Sequence, residues 1–158
     1  MPKYTLEVEL IPQSSWYNNV RSEFGSDWDL IRFDIYHHAK QKCEICNDTG
    51  FNQGFNHSLE CHEKWEYDNK TSVQKLTGFI ALCPYCHKCK HPGLAYSKGE
   101  DELVLSHLMK VNGITKKQAN NLVLNAFFLW EKRSRITWKI DLQYAYDYID
   151  QLFTKHYE

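Results

Sequence analysis

What this chain lacks narrows its class first. It has no surplus of one charge: 19 Lys and Arg stand against 20 Asp and Glu, for a formal net charge of -1. A protein that holds polyanions by overall field alone is therefore excluded. No apolar run approaches the roughly 20 residues that a membrane-spanning helix needs, and Met1-Pro2-Lys3-Tyr4 alternates in polarity instead of opening a secretory signal. A cytoplasmic chain with no membrane partner is expected. Internal repeats, low-complexity segments and compositional breaks are also missing, so residues 1–158 read as a single domain. An apolar fraction of 42% and an aromatic fraction of 15% are enough to build a core, which excludes a disordered chain.

One local absence matters more. From Asn69 to Gly99 there is no acidic residue, while Lys70, Lys75, Lys88, Lys90 and Lys98 all fall there. A second basic cluster comprises Lys132, Arg133, Arg135 and Lys139. The first cluster overlaps the stretch Cys43–His91, where nearly all the metal and proton chemistry of the sequence is gathered. Cys43-Glu44-Ile45-Cys46 and Cys83-Pro84-Tyr85-Cys86 are two Cys-x-x-Cys knuckles. Two intervening residues let both sulfurs of a knuckle converge on one metal, so the four thiolates can complete a tetrahedral zinc site. In a reducing compartment this spacing means metal ligands rather than disulfides. Cys89 repeats the spacing from Cys86 but reads as a packing or surface residue.

The second knuckle runs directly into His87 and His91. Four residues apart, these imidazoles share one face of a helix. A third ligand from the strand around His62 would leave open positions on the metal, which is the arrangement of a working ion rather than a structural one.

Along the chain, Lys3–Ile11 alternates through Tyr4, Leu6, Val8 and Leu10 and predicts a strand. Helices are expected from Ser14 or Ser15 to Phe24 and from Ser26 to about Lys40. Asn47–Ser58 reads as loop, and strands are expected over Leu59–Tyr67 and Leu76–Leu82. A helix should start at Pro84 and carry both His87 and His91. Further helices are expected over Glu102–Val111, from the Thr115/Gln118 capping box to about Arg133, and over Tyr144–Phe153. Arg135–Leu142 alternates and could pair with the N-terminal strand. The expected class is α+β: a small zinc-stabilised core, residues 43–93, between helical flanks 14–40 and 101–153, with a short N-/C-terminal strand pair.

The order Cys-x2-Cys, Leu59-Glu60-Cys61-His62, then an apolar strand into Leu82-Cys83-x2-Cys86-His87-x3-His91, resembles the HNH endonuclease family and its zinc-stabilised ββα-metal fold. The resemblance covers about a third of the chain. It implies a structural Zn2+ at Cys43, Cys46, Cys83 and Cys86, and a second divalent ion (Zn2+, Mg2+, Mn2+ or Ni2+) at His62, His87 and His91. It also implies hydrolysis of phosphodiester bonds in DNA. In one register His62 is a metal ligand and Glu63 the general base; in the other, Cys61 is the ligand and His62 the base. Lys88 and Lys90 become candidates for backbone phosphate contacts. Gly78 stands where the family usually has an Asn. The alternative is a non-catalytic module of the same fold that binds nucleic acid or a protein partner, and the helices outside the motif suggest such a partner or a homodimer.

Overall fold

The structure, a computed structural model, describes residues 3–155. Its centre is a hairpin. Strand β1, Glu60–Asp68, pairs antiparallel with β2, Val73–Leu82, with His62 opposite Ile80 and Lys64 opposite Gly78. Asp68 closes the turn, accepting from the Lys70 amide at 2.8 Å and the Thr71 hydroxyl at 2.7 Å, as short acidic side chains do in tight turns. A register shift falls between Lys64 and Trp65. Strand β3, Lys139–Asp141, adds in parallel to β2, so the order is β1-β2-β3 and β1 is an edge.

Successive residues of a strand face opposite ways, and that alternation sorts the helices. Phe79 of β2 faces α2 (Trp28–His38) and α7 (Gln143–Lys155), with Trp28 edge-on at 5.9 Å and Tyr148 at 5.8 Å. On the other face His62 meets the end of α3, Pro84–Lys90. Beyond it lie α4 (Pro92–Ser97), α5 (Asp101–Asn112) and α6 (Lys116–Ser134). The described residues thus form an α+β fold whose buried core includes Leu6, Ile31, Leu76, Leu82, Val104 and Leu108.

Several expected boundaries hold for the reasons anticipated. Thr115 and Gln118 form the reciprocal capping box of α6, and Gly113, left-handed at φ 62, stops α5. In α1, Val20–Phe24, the cap is Asn19 paired with Ser22. The Ser14/Ser15 region makes only a 3-10 turn, Gln13–Ser15.

Among the described residues the expected N-/C-terminal strand pair is absent. Leu6 is buried and Glu7 and Glu9 are exposed, as alternation required, but the backbone finds helix ends instead of a sheet. Asn112 at the end of α5 accepts from the Leu6 amide and donates to the Leu6 carbonyl, both at 2.9 Å. The Glu9 amide donates to the Lys90 carbonyl at 3.2 Å, one of the carbonyls that a helix C-terminus leaves unpaired. The N-terminal segment is therefore an extended strap across α5 and α3, and β3 takes its place beside β2.

Candidate metal centres

The first centre joins the two knuckles. Asn47, at φ 65, turns the chain after Cys46, and its amide donates to the Cys43 carbonyl at 2.9 Å. Glu44 fastens this turn to β2: its amide donates to the Ala81 carbonyl at 3.0 Å, and its carboxylate accepts from the Ala81 amide at 2.7 Å. Cys83 caps α3, its sulfur accepting from the Cys86 amide at 3.4 Å. All four sulfurs of Cys43, Cys46, Cys83 and Cys86 lie within 4.8 Å of one another. The Cys46–Cys83 distance is 3.5 Å, far beyond a disulfide and close to the roughly 3.8 Å between thiolates on one tetrahedral zinc.

Ionisation of this cluster points the same way. The other thiols donate to Cys43 and hold it well below the usual thiol range. Burial, and then the Cys43 charge, push Cys46 up to about 12, and Cys86 is raised by its contacts with Cys43 and Cys83. Four thiolates coexist here only with a cation between them. The group can therefore bind a metal, and its chemistry fits zinc. His107 of α5 adds a neighbour that the sequence did not reveal, with Nε2 at 3.2 Å from the Cys86 sulfur. Cys89 is buried against α5 and is not part of the cluster.

The second centre gathers His62 from β1 with His87 and His91 from the end of α3, their ligand nitrogens again within 4.8 Å. His62 Nδ1 and His91 Nε2 face each other at 3.0 Å, near the roughly 3.3 Å spacing of two imidazoles on one tetrahedral ion. The expected single helix is cut short: α3 ends at Lys90, and His91 is its cap, although the His91 amide still donates to the His87 carbonyl at 3.0 Å. Pro92 opens α4, so the backbone must leave α3 at His91.

Carboxylates orient the outer nitrogens. Glu60 accepts from His87 Nδ1 and, at 2.9 Å, from His57 Nε2. Burial opposes its charge, yet these contacts outweigh burial and hold Glu60 below the usual carboxylate range. Glu9 lies 3.7 Å from His62 Nε2 and 3.4 Å from Lys90 Nζ, and is likewise lowered against burial. The hydrogen-bonded Glu60–His87 pair fixes the tautomer that a metal ligand needs, whereas Glu9 stands too far from His62 Nε2 to bond it. Burial lowers His62 to about 4, and burial with the neighbouring charges lowers His91 well below its ordinary value. Both rings are therefore neutral, as ligands must be.

His87 and His91 look into an open cleft of about 580 Å³ at the edge of β1, which Glu63, Glu60, Arg21 and Arg32 also line. Glu63 faces away from His62, as its neighbour on a strand must, and burial raises its pKa. Cys61 shares that face, is buried, and is not among the grouped histidines. Gly78 lies opposite Lys64, whose stem a Cβ there would meet only at an ordinary contact distance of 3.6 Å. Neither predicted lysine is free: Lys88 donates to Glu100 at 2.7 Å, and Lys90 is largely buried against Glu9. The strand period would have found Glu60, two residues before His62 on the same face. Arg21, by contrast, lies far upstream and carried no signal. No protein-family model, curated protein or solved structure matches the chain.

Proposed function

We propose that this protein is an HNH-type metal-dependent endonuclease that hydrolyses phosphodiester bonds in DNA. The hairpin β1–β2 followed by α3 serves as its ββα-metal core, with zinc at the four cysteines as its structural staple. One observation carries the reading: two of the three grouped histidines, His87 and His91, open into a cleft that also holds Glu63, a half-buried carboxylate whose pKa burial raises. His62, His87 and His91 would hold a divalent ion, which when bound would supply Lewis acidity toward a phosphate oxygen. Glu63 takes the proton of the attacking water, and burial brings its pKa closer to neutrality, where a general base works best. Glu60 holds His87 in its ligating tautomer. Arg21 and Arg32, rather than Lys88 and Lys90, are the cations that line the cleft; Arg32 is engaged by Asp29 at 2.7 Å, so Arg21 is the one that neutralises a substrate phosphate.

Metal analysis together with plasmid nicking tests this. Wild type should hold two metals per chain and nick DNA; His87→Ala should keep one and lose nicking. Glu63→Gln should keep both metals and lose roughly 10²–10⁴-fold in rate. Undiminished nicking by His87→Ala, or none by wild type with Zn2+, Mg2+, Mn2+ and Ni2+, overturns the proposal. Gly78 favours a second reading, a non-catalytic zinc module, because it offers no side chain to orient a base. That reading requires one tightly held zinc and no cleavage.

A further inference from the structure

Among the described residues, four buried side-chain polar atoms lack a hydrogen-bond partner: His62 Nε2, Trp65 Nε1, Gln74 Oε1 and Arg133 Nε. Residues His62, Trp65 and Arg133 line one cavity of about 290 Å³, bounded by the N-terminal strap, β1 and α6. This is not the cleft that contains Glu63; His62 lines only this one. An orphan donor in a folded interior is uncommon, and three around one space point to a ligand.

All three atoms are donors. Indole and guanidinium N–H groups donate in every state they adopt here. His62 Nε2 carries the proton once Nδ1, which faces His91, is committed to a metal. Three of the other four indoles differ directly. Trp16 and Trp130 donate to the Ile11 carbonyl at 2.9 and 3.1 Å, and Trp138 donates to the Arg133 carbonyl at 2.9 Å. Only the indole of Trp65 is both buried and unmatched. The Arg133 guanidinium lies over the Tyr67 ring, 3.9 Å from its centre, and makes no ion pair within 4 Å among the described residues. Glu9, across the same cavity, acts on this charge but is shared with Lys90 and His62, so the Arg133 Nε–H is left without an acceptor.

We propose that this cavity is an anion site for a phosphate-class oxyanion, held by Arg133, Trp65 and, when a metal occupies Nδ1, His62. Oxyanions offer several acceptors and a charge that matches Arg133. The cavity's carboxylates do not forestall this: Glu9 is engaged by Lys90 at 3.4 Å and His62 at 3.7 Å, and Glu66 is exposed. The phosphate can be a free anion or a backbone phosphate of a bound strand. The site stands whether or not the neighbouring centre cleaves DNA.

Titration of inorganic phosphate into the zinc-loaded full chain, followed by calorimetry, tests it. Wild type should show saturable one-to-one binding. Arg133→Gln should weaken binding at least roughly tenfold, with metal content unchanged. Trp65→Phe removes one donor and keeps the ring, so it provides the test if Arg133→Gln fails to fold; it too should weaken binding. Displacement of phosphate by a short single-stranded oligonucleotide would identify a backbone phosphate as the occupant, and failure to displace it a free anion. No saturable binding at millimolar phosphate, or equal binding by wild type and both variants, overturns the proposal and leaves a cavity holding water only. The nicking assay with His87→Ala reports separately on the nuclease reading.

Discussion

Glu60 is the residue on which the three-histidine group turns. Its carboxylate meets His87 and His57 at once, so it sets which His87 nitrogen stays free for a metal. Glu60→Gln should lower metal affinity at that group by roughly 10–100-fold without removing zinc from the four cysteines; chelator competition with metal analysis reads both. His62 sets a pH dependence. Burial lowers it from 6.5 to about 4 in the folded protein. Below about 4 both folded and unfolded chains hold the proton, and above 6.5 neither does. Between those limits only the unfolded chain binds it, so stability falls on acidification through this window, by up to about 3 kcal/mol for this residue. Bound metal acts in the same direction, and so does zinc release from the thiolates. The slope of unfolding free energy from pH 7 to 5 should therefore be shallower in His62→Asn than in wild type, and equal slopes would refute the assignment.

At the level of elements, two glycines separate room from conformation. Gly50 sits at φ -61, which any residue adopts, yet a Cβ there would lie 2.1 Å from the His57 carbonyl oxygen. The 47–58 loop folds back on that point, with the Gly50 amide donating to the Ser58 carbonyl at 2.7 Å. Gly50→Ala should cost about 1–3 kcal/mol or more, as overpacking against backbone does. Gly78, within β2, would meet only the flexible Lys64 stem at 3.6 Å. Gly78→Ala should be neutral or stabilising by up to about 1 kcal/mol, since glycine weakens a strand interior. Urea unfolding of the two variants distinguishes these outcomes. The strap shows a different limit. Alternation at Tyr4, Leu6, Val8 and Leu10 correctly marked a buried side, but it carries no information on whether the backbone finds a strand or, as here, Asn112 and a helix end.

Across the whole molecule the four-cysteine cluster ties the loop after α2 to β2 and to the start of α3, and so joins three parts of the chain at one point. Cys43→Ser should remove one zinc per chain and collapse the melting transition, because metal binding of this kind is coupled to folding. An unchanged melting temperature would refute the zinc staple. No described helix is long and apolar enough to cross a membrane.

Both metal groups were legible in the linear chain because ligand spacing is a local property: two residues between cysteines, or a helical turn between histidines, fix convergence before any tertiary contact forms. Helix caps were legible for the same reason, since Thr115 and Gln118 meet within one turn. Long-range placement was not. Arg21 entering the cleft, His107 against Cys86, Glu9 against His62, and β3 pairing parallel to β2 all join residues far apart in sequence. Such contacts are chosen by which faces remain to be buried once the hairpin and helices have packed. The same holds for the cations: Lys88 and Lys90 lay beside the ligands in sequence, but packing gave them to Glu100 and Glu9. Chemistry at the centres was thus written in spacing, whereas the surroundings of each ligand were decided by the burial of everything else.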